Sequence, residues 1–277
     1  NKILAVYVGP AGYAAIGQFQ NFIQMITSFA GGAINTAVIK YTAEYYEDEN
    51  KQRTVWKTAG SIVSIFSFIF TFLVLIFHQQ LSLYIFKTVE YGSVFIWFAV
   101  FLIFFNLNAL LLAILNGKKE ILKLVIANIA GSLFSLLVTS IMAVKYSLYG
   151  ALVALSIYQS LNFMVTLFLC YRSSWFNWTY FYGKIDADVA KKFLAFASMA
   201  LVSAICVPLS QMVIRSYLSH EYSAVYAGYW EAMIRLSAAY LMLVTTTLGI
   251  YYLPRLSELS NIQDIKKEIY LGYKLIF

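Results

Sequence analysis

Four ionisable residues lie within or beside apolar stretches: Lys2, Arg215, Glu231 and Arg235. A charge at the centre of a bilayer costs about 2.5–3.5 kcal/mol on insertion scales, so residues of this kind are kept for pairing, for an aqueous path or for a ligand. Glu231 and Arg235 stand at i, i+4 and share one helix face. The spacing fits a mutually neutralised structural pair and equally fits a pair facing an aqueous path. Lys2 lies about 10 Å from Gly9-Pro10 at a rise of about 1.5 Å per residue. Arg215 stands near the end of its run, where it either snorkels to the interface or serves as a ligand. Polar uncharged residues add a second pattern. Asn21, Gln24, Ser28, Gly31, Gly32 and Asn35 recur near helical spacing and form one stripe. Such a stripe suits close helix packing through small and amide residues, or the lining of a polar cavity. Asn106 and Asn108 are expected to serve in structural hydrogen bonds. Lys40, Lys118 and Lys119 flank the runs on their more basic side, where they would attract an anionic head group. The chemistry on offer is capture of an anion by fixed cations. The sequence presents no metal-ligand cluster, nucleotide-binding glycine loop or nucleophile–base set, so neither a cofactor nor a metal is expected.

The elements that must position these residues are seven apolar runs, at 17–39, 58–77, 93–115, 124–144, 150–171, 193–217 and 223–252. A hydrocarbon core of about 30 Å takes about 20 apolar residues of helix. Lipid offers no partner to a backbone polar group, so helices are the natural form of such runs. The fold class is therefore all-α, a polytopic membrane protein. Composition agrees: 61% of residues are hydrophobic and 12% charged, far from the balance of a soluble domain. Aromatic residues cluster near run ends, among them Trp56, Tyr84, Tyr91, Tyr146, Tyr149, Trp175 and Trp178, as suits the headgroup level. A net charge of +7 would fit nucleic acid, but the basic residues sit in loops beside the spans, so nucleic acid is not an expected partner. Cys170 and Cys206 fall inside apolar runs as small core residues.

Lysines and arginines alternate from loop to loop. One set of loops holds 14 and the other 3, and the positive-inside rule places the richer set in the cytoplasm. The chain opens at Asn1 on a short apolar stretch and stops at Phe277 within another, at 269–277, as a piece of a longer protein with a cut helix at each end would. The organisation expected is an N-terminal bundle over 1–171, a cytoplasmic linker over 172–192 and the start of a C-terminal bundle over 193–277. A faint repeat, 37–46 against 248–257 and 14–17 against 225–228, has a separation of about 211 residues. Duplicated halves in secondary transporters place the substrate site between them.

Two hairpins carry a family likeness. The stretch Lys2-Ile-Leu-Ala-Val-Tyr-Val-Gly-Pro-Ala-Gly-Tyr13, with Gly17-Gln18-Phe19 and Ile39-Lys40-Tyr41, resembles the first helical hairpin of bacterial O-antigen translocases. Gly228-Tyr-Trp-Glu-Ala-Met233, Ala239-Tyr-Leu-Met-Leu-Val-Thr-Thr-Thr247 and Tyr251-Tyr-Leu-Pro-Arg-Leu-Ser257 are similar to its counterpart. These are lipid-linked oligosaccharide flippases of the polysaccharide transport branch of the MATE-like (multidrug/oligosaccharidyl-lipid/polysaccharide) exporter superfamily, with kin that carry O-antigen units and enterobacterial common antigen. The resemblance implies two six-helix bundles, twelve helices in all, of which this chain holds seven in full and two cut. It implies a cationic central cavity, a bacterial inner-membrane location and alternating access. The substrate implied is an undecaprenyl-pyrophosphate-linked oligosaccharide, and a polysaccharide polymerase and a chain-length regulator would be partners. Lys2, Arg215, Arg235 and Lys40 would then meet the diphosphate, with Glu231, Asn21, Gln24 and Asn35 beside it. The family often has Gln where this chain has Glu231, so the local charge balance is this protein's own. A multidrug or cation antiporter of the same superfamily is the alternative; it would want cavity carboxylates, and Glu231 alone lies in a full span. An enzyme would want a large catalytic loop, and the loops are short.

Orientation gives the first testable outcome. In intact spheroplasts, cysteines at Lys51→Cys and Lys119→Cys should resist an impermeant thiol reagent while Lys87→Cys labels; the reverse pattern would invert the topology.

Overall fold

A computed structural model describes residues 2–31 and 33–247, with the side chains of 7–31, 33–202 and 204–242. The Lys2 side chain, the close of the seventh run, the second member of the longer repeat at 248–257 and the stretch at 269–277 lie outside the described residues. The helices are α1 (Lys2–Ala30), α2 (Asn35–Glu44), α3 (Glu49–Phe86), α4 (Gly92–Gly117), α5 (Ile121–Tyr171), α6 (Ala187–Glu221) and α7 (Ala224–Thr247), with one 3₁₀ turn at Trp178–Tyr180. No strand occurs among the described residues. The chain forms two compact units, Asn1–Gly228 and Tyr229–Phe277. The larger holds α1–α6.

Local chemistry explains where the helices break. α1 is interrupted at Gly9, whose φ of 75° is a left-handed value that glycine adopts without a Cβ clash. Pro10 follows, where its missing N–H is no loss at the start of a new helical segment. The run expected over 17–39 is not one helix: α1 and α2 meet at 47° across residues 31–34. Thr27 Oγ1 and Ser28 Oγ each donate back to a carbonyl one turn earlier, at 2.7 Å, a habit that bends helices. Ala33, at φ 49°, then donates to the Ser28 carbonyl and closes the corner.

The 51 residues of α5 are two antiparallel arms, folded at Tyr146 and Ser147, both non-helical. Lys123 reaches Ser173 at one end, and a Cβ on Gly131 would meet the Asn162 amide at 2.8 Å midway. The runs at 124–144 and 150–171 thus form a hairpin. α4 lies between α3 and the second arm, tied by hydroxyls and amides: Asn106 Nδ2 donates to Ser67 Oγ at 2.9 Å, Thr71 Oγ1 to the Ala99 carbonyl at 3.0 Å, and Ser160 Oγ to the Phe101 carbonyl at 3.0 Å. Asn108 bonds Gln159 and Thr166. Both asparagines serve structure, as expected. A phenylalanine cluster (Phe19, Phe22, Phe95, Phe98) packs one half of the unit, and Trp56, Leu110, Ile114, Phe163 and Phe193 pack the other. Phe68 and Phe72 on α3, 64% and 65% exposed, belong to an apolar face fit for lipid.

One end of this unit collects the cations of the richer loops. Lys118 reaches Gln52, Lys192 reaches Tyr45, Arg53 stacks on Tyr180 and Lys40 on Phe196. Beside them a clasp closes the α5 hairpin. Glu120 accepts from Trp175 Nε1 and Ser173 Oγ and pairs with Lys123 at 2.7 Å. Partial burial alone would raise the Glu120 carboxyl, but the bonds from Lys123 and Trp175 outweigh it and hold it below the usual glutamate value of 4.5. A depressed folded pKa means stability that is full above that value and lost as pH falls through the folded one. Glu120→Gln should therefore lower the melting temperature in detergent at neutral pH by about 2–4 °C, the response of a chain this size to about 1 kcal/mol. Its difference from the parent should shrink as the medium is acidified below the carboxyl range; a difference that persists in acid would count against the charge.

Candidate functional site: a polar seam on α1 and α6

The α1 positions 17, 18 and 21 and the α6 positions 208, 212 and 215 recur at helical spacing, so each set lies on one face. These faces meet. Gln18 Nε2 donates to the Met212 carbonyl at 3.2 Å, and Asn21 Nδ2 to the Pro208 carbonyl at 3.4 Å. Arg215 closes the seam: its Nε donates to Gln18 Oε1 and its Nη2 to the Gly17 carbonyl, both at 3.3 Å. At 2% exposure Arg215 is buried, and the snorkelling alternative is set aside. The reason is that Gln18 and Gly17 supply acceptors on the helix opposite, so the guanidinium need not reach past its own helix for them. Gln18 does two jobs, donating to α6 through nitrogen and receiving Arg215 through oxygen.

The seam lies toward the end opposite the lysines. Phe19, beside Gln18 in sequence, packs on Phe86 and Phe95, whereas Tyr41 at the other end packs on Phe193. A guanidinium held there has five N–H donors in a planar fork, which matches the oxygen geometry of phosphate.

The other expected residues divide. Asn21 joins Arg215 in the seam, and Gln24 is exposed beside it. Asn35 is half-buried as the first residue of α2, beyond the 47° corner, so the stripe that includes it does not run along one helix. Lys40 stands exposed at the basic end, its Nζ 5.1 Å from the Tyr41 ring centroid and 5.0 Å from that of Phe196. In the second unit, Arg235 Nε meets Glu231 Oε1 at 2.6 Å, with side chains 19% and 7% exposed. The i, i+4 pairing is as the spacing indicates. Sequence reasoning missed Gln18 as a site residue. An amide three residues before Asn21 in an apolar run was the available signal. It also missed the tyrosines that gather the lysines.

Comparison with known proteins identifies the family and the fold. The family model for polysaccharide biosynthesis proteins matches residues 1–260. The chain belongs to that family. It is 26% identical over 275 residues to the lipid III flippases of Escherichia coli (strain K12) and of Shigella flexneri, a match covering 99% of this chain and 66% of each relative. This polysaccharide biosynthesis protein thus spans just under two thirds of the length of the curated relatives it matches. Its fold is that of a solved inward-facing multidrug resistance MATE family transporter of the MOP superfamily. The two share 17% identity with a TM-score of 0.70 over 99% of this chain and 65% of that one. The all-α, multi-pass membrane architecture is thereby established, with the MATE-like likeness as read from the two hairpins.

The Glu231–Arg235 pair sets a test of its own. Removing one partner of a buried ion pair costs about 3–5 kcal/mol, because the other charge is left uncompensated. Glu231→Ala should lower membrane abundance and melting temperature, and Glu231→Gln with Arg235→Met together should restore both. If the double variant also keeps full function with unchanged pH dependence, the pair is structural. If Glu231→Gln keeps the fold but shifts the pH dependence, the carboxylate titrates during function.

Proposed function

We propose that this protein moves a lipid-linked oligosaccharide across the membrane. The observation that carries the reading is Arg215, a buried guanidinium set among amide groups in the far half of the bundle. A lipid diphosphate sugar brings negative charge into a medium where its desolvation is costly, so a carrier needs a fixed cation below the surface. Gln18 and Gly17 orient that cation, and Asn21, together with the exposed Gln24, adds hydrogen-bonding capacity fit for hydroxyl groups. The family match and the lipid III flippase relatives support the same class of substrate.

In its finer form, the substrate is an undecaprenyl-pyrophosphate-linked repeat unit, of O-antigen or a related glycan. It passes from the cytoplasmic to the periplasmic face of a bacterial inner membrane by alternating access, and a polymerase and a chain-length regulator act on the product. The drive comes from an ion gradient or from the substrate gradient. A cation antiporter fits less well, because the carboxylate of Glu231 is engaged by Arg235.

The test uses three substitutions at one position. Arg215→Gln retains donors for Gln18 and Gly17 but removes the charge, Arg215→Lys retains charge but loses the fork, and Arg215→Ala removes both. A charge-assisted hydrogen bond contributes about 1.5–3 kcal/mol, a factor of about ten or more. Surface glycan should therefore fall at least about tenfold in the Gln and Ala variants at normal membrane abundance, with lipid-linked oligosaccharide accumulating on the cytoplasmic face. Lys should rescue in part. Normal display in the Gln variant would leave Arg215 a packing role only.

A further inference from the structure

The basic end of the larger unit is organised around the tyrosines that close α2. Lys40 and Lys192, from different helices, direct their ammonium groups at one ring: the Nζ atoms lie 5.1 and 5.4 Å from the Tyr41 centroid. Lys40 also lies over Phe196, and Lys192 over Tyr45 at 5.7 Å. The rings are fixed in turn, Tyr41 stacking on Tyr45 at 6.0 Å and meeting Phe196 edge-on at 6.0 Å. Two like charges converging on one ring repel, and an exposed cation–π contact returns only about 0.5–1 kcal/mol. Among the described residues no carboxylate stands within ion-pair distance of either lysine. Asp48 is taken by Lys51 at 3.2 Å, and Glu44 acts on Lys192 only as a nearby charge. Lys192 Nζ donates to the Tyr45 hydroxyl at 2.9 Å, which leaves that hydroxyl its own proton to donate onward. Two ammonium groups and one O–H are thus gathered around the Tyr41 and Tyr45 rings.

What lies next to this cluster identifies the anion's carrier. On α6, Lys192, Phe196 and Met199 stand at i, i+4 and i+7, one face running from the basic end into the apolar span. Met199 is 76% exposed, an apolar side chain on the helix face that carries Lys192. A soluble anion would use the head alone. A molecule with a phosphate and acyl chains would use both.

We propose that Lys40, Lys192 and Tyr45 form a binding site for an anionic phospholipid of the leaflet at the basic end, its chains lying along Phe196 and Met199. The site is separate from the α1–α6 seam and does not depend on the transport reading. Each basic residue near a membrane surface adds about 1 kcal/mol toward anionic lipid. The two lysines together then favour it by about 30-fold.

The test takes the full-length protein purified in detergent, with phosphatidylglycerol or phosphatidylcholine added, and reads bound lipid by native mass spectrometry and melting temperature. Phosphatidylglycerol should bind and raise the melting temperature, phosphatidylcholine should not, and the Lys40→Gln/Lys192→Gln double variant should lose at least tenfold of the binding. Lys40→Arg/Lys192→Arg, which keeps the charges, should retain it and so separates lost binding from lost folding. Equal effects of the two lipids, or undiminished binding by the Gln double variant, would overturn the proposal. So would displacement of phosphatidylglycerol by an equimolar amount of undecaprenyl phosphate, which would assign the site to the transported class of lipid.

Discussion

In hydrocarbon no water waits to satisfy a polar group, so side-chain donors turn to carbonyls of their own helix or to groups on a neighbouring one. The arrangement of the larger unit follows from that obligation. Ser67 donates to the Ala30 carbonyl and receives from Asn106, which ties α1, α3 and α4 at one level. Ser156 donates to the Val94 carbonyl, and Ser160 to that of Phe101, which sets the second arm of α5 against α4. Apolar packing alone would tolerate a helix sliding by a turn, because lipid tails are as apolar as leucine. The hydroxyl and amide bonds do not tolerate it. They fix register, and the phenylalanine and leucine clusters fill the space that the register leaves.

The same obligation decides what a buried charge can be for. Arg215 is kept in the interior because α1 offers it an amide oxygen and a main-chain carbonyl at the right height. Gln18 is the hinge of this arrangement, since its nitrogen is already committed to the Met212 carbonyl and its oxygen must therefore face Arg215. The seam is thus pre-oriented: a guanidinium whose rotamer is set before any ligand arrives loses less freedom on binding one. Glu231 and Arg235 solve the problem differently, by neutralising each other at 2.6 Å within one helix.

The sequence made the membrane class, the run positions and the segregation of lysines legible, because hydropathy and charge act residue by residue. The hairpin at 145–149 was legible for the same reason, a lysine between two apolar runs. The corner at residues 31–34 was not. Hydropathy continues unbroken through Gly31 and Gly32 in the sequence, whereas the back-bonding of Thr27 and Ser28 and the left-handed Ala33 mark the corner in the structure. That corner carries Asn35 off the stripe it shares in sequence with Asn21. The burial of Arg215 was likewise invisible, since its acceptors lie nearly two hundred positions earlier. The family hairpins were legible in short motifs, and the match over residues 1–260 extends that likeness along almost the whole chain.

Two cationic settings therefore occupy opposite halves of one unit, and they differ in kind. At the basic end, the Lys40 and Lys192 ammonium groups are exposed, held by ring faces and by the Tyr45 hydroxyl. Such cations are well hydrated, and salt screens their attraction for an anion. In the seam, one buried guanidinium is held by directional bonds that include those to Gln18 and Gly17, and screening there is weak. A ligand meeting that guanidinium would have to present its oxygens to a fixed planar fork. The lysine end thus holds exposed charges, and the arginine seam holds a buried, oriented one.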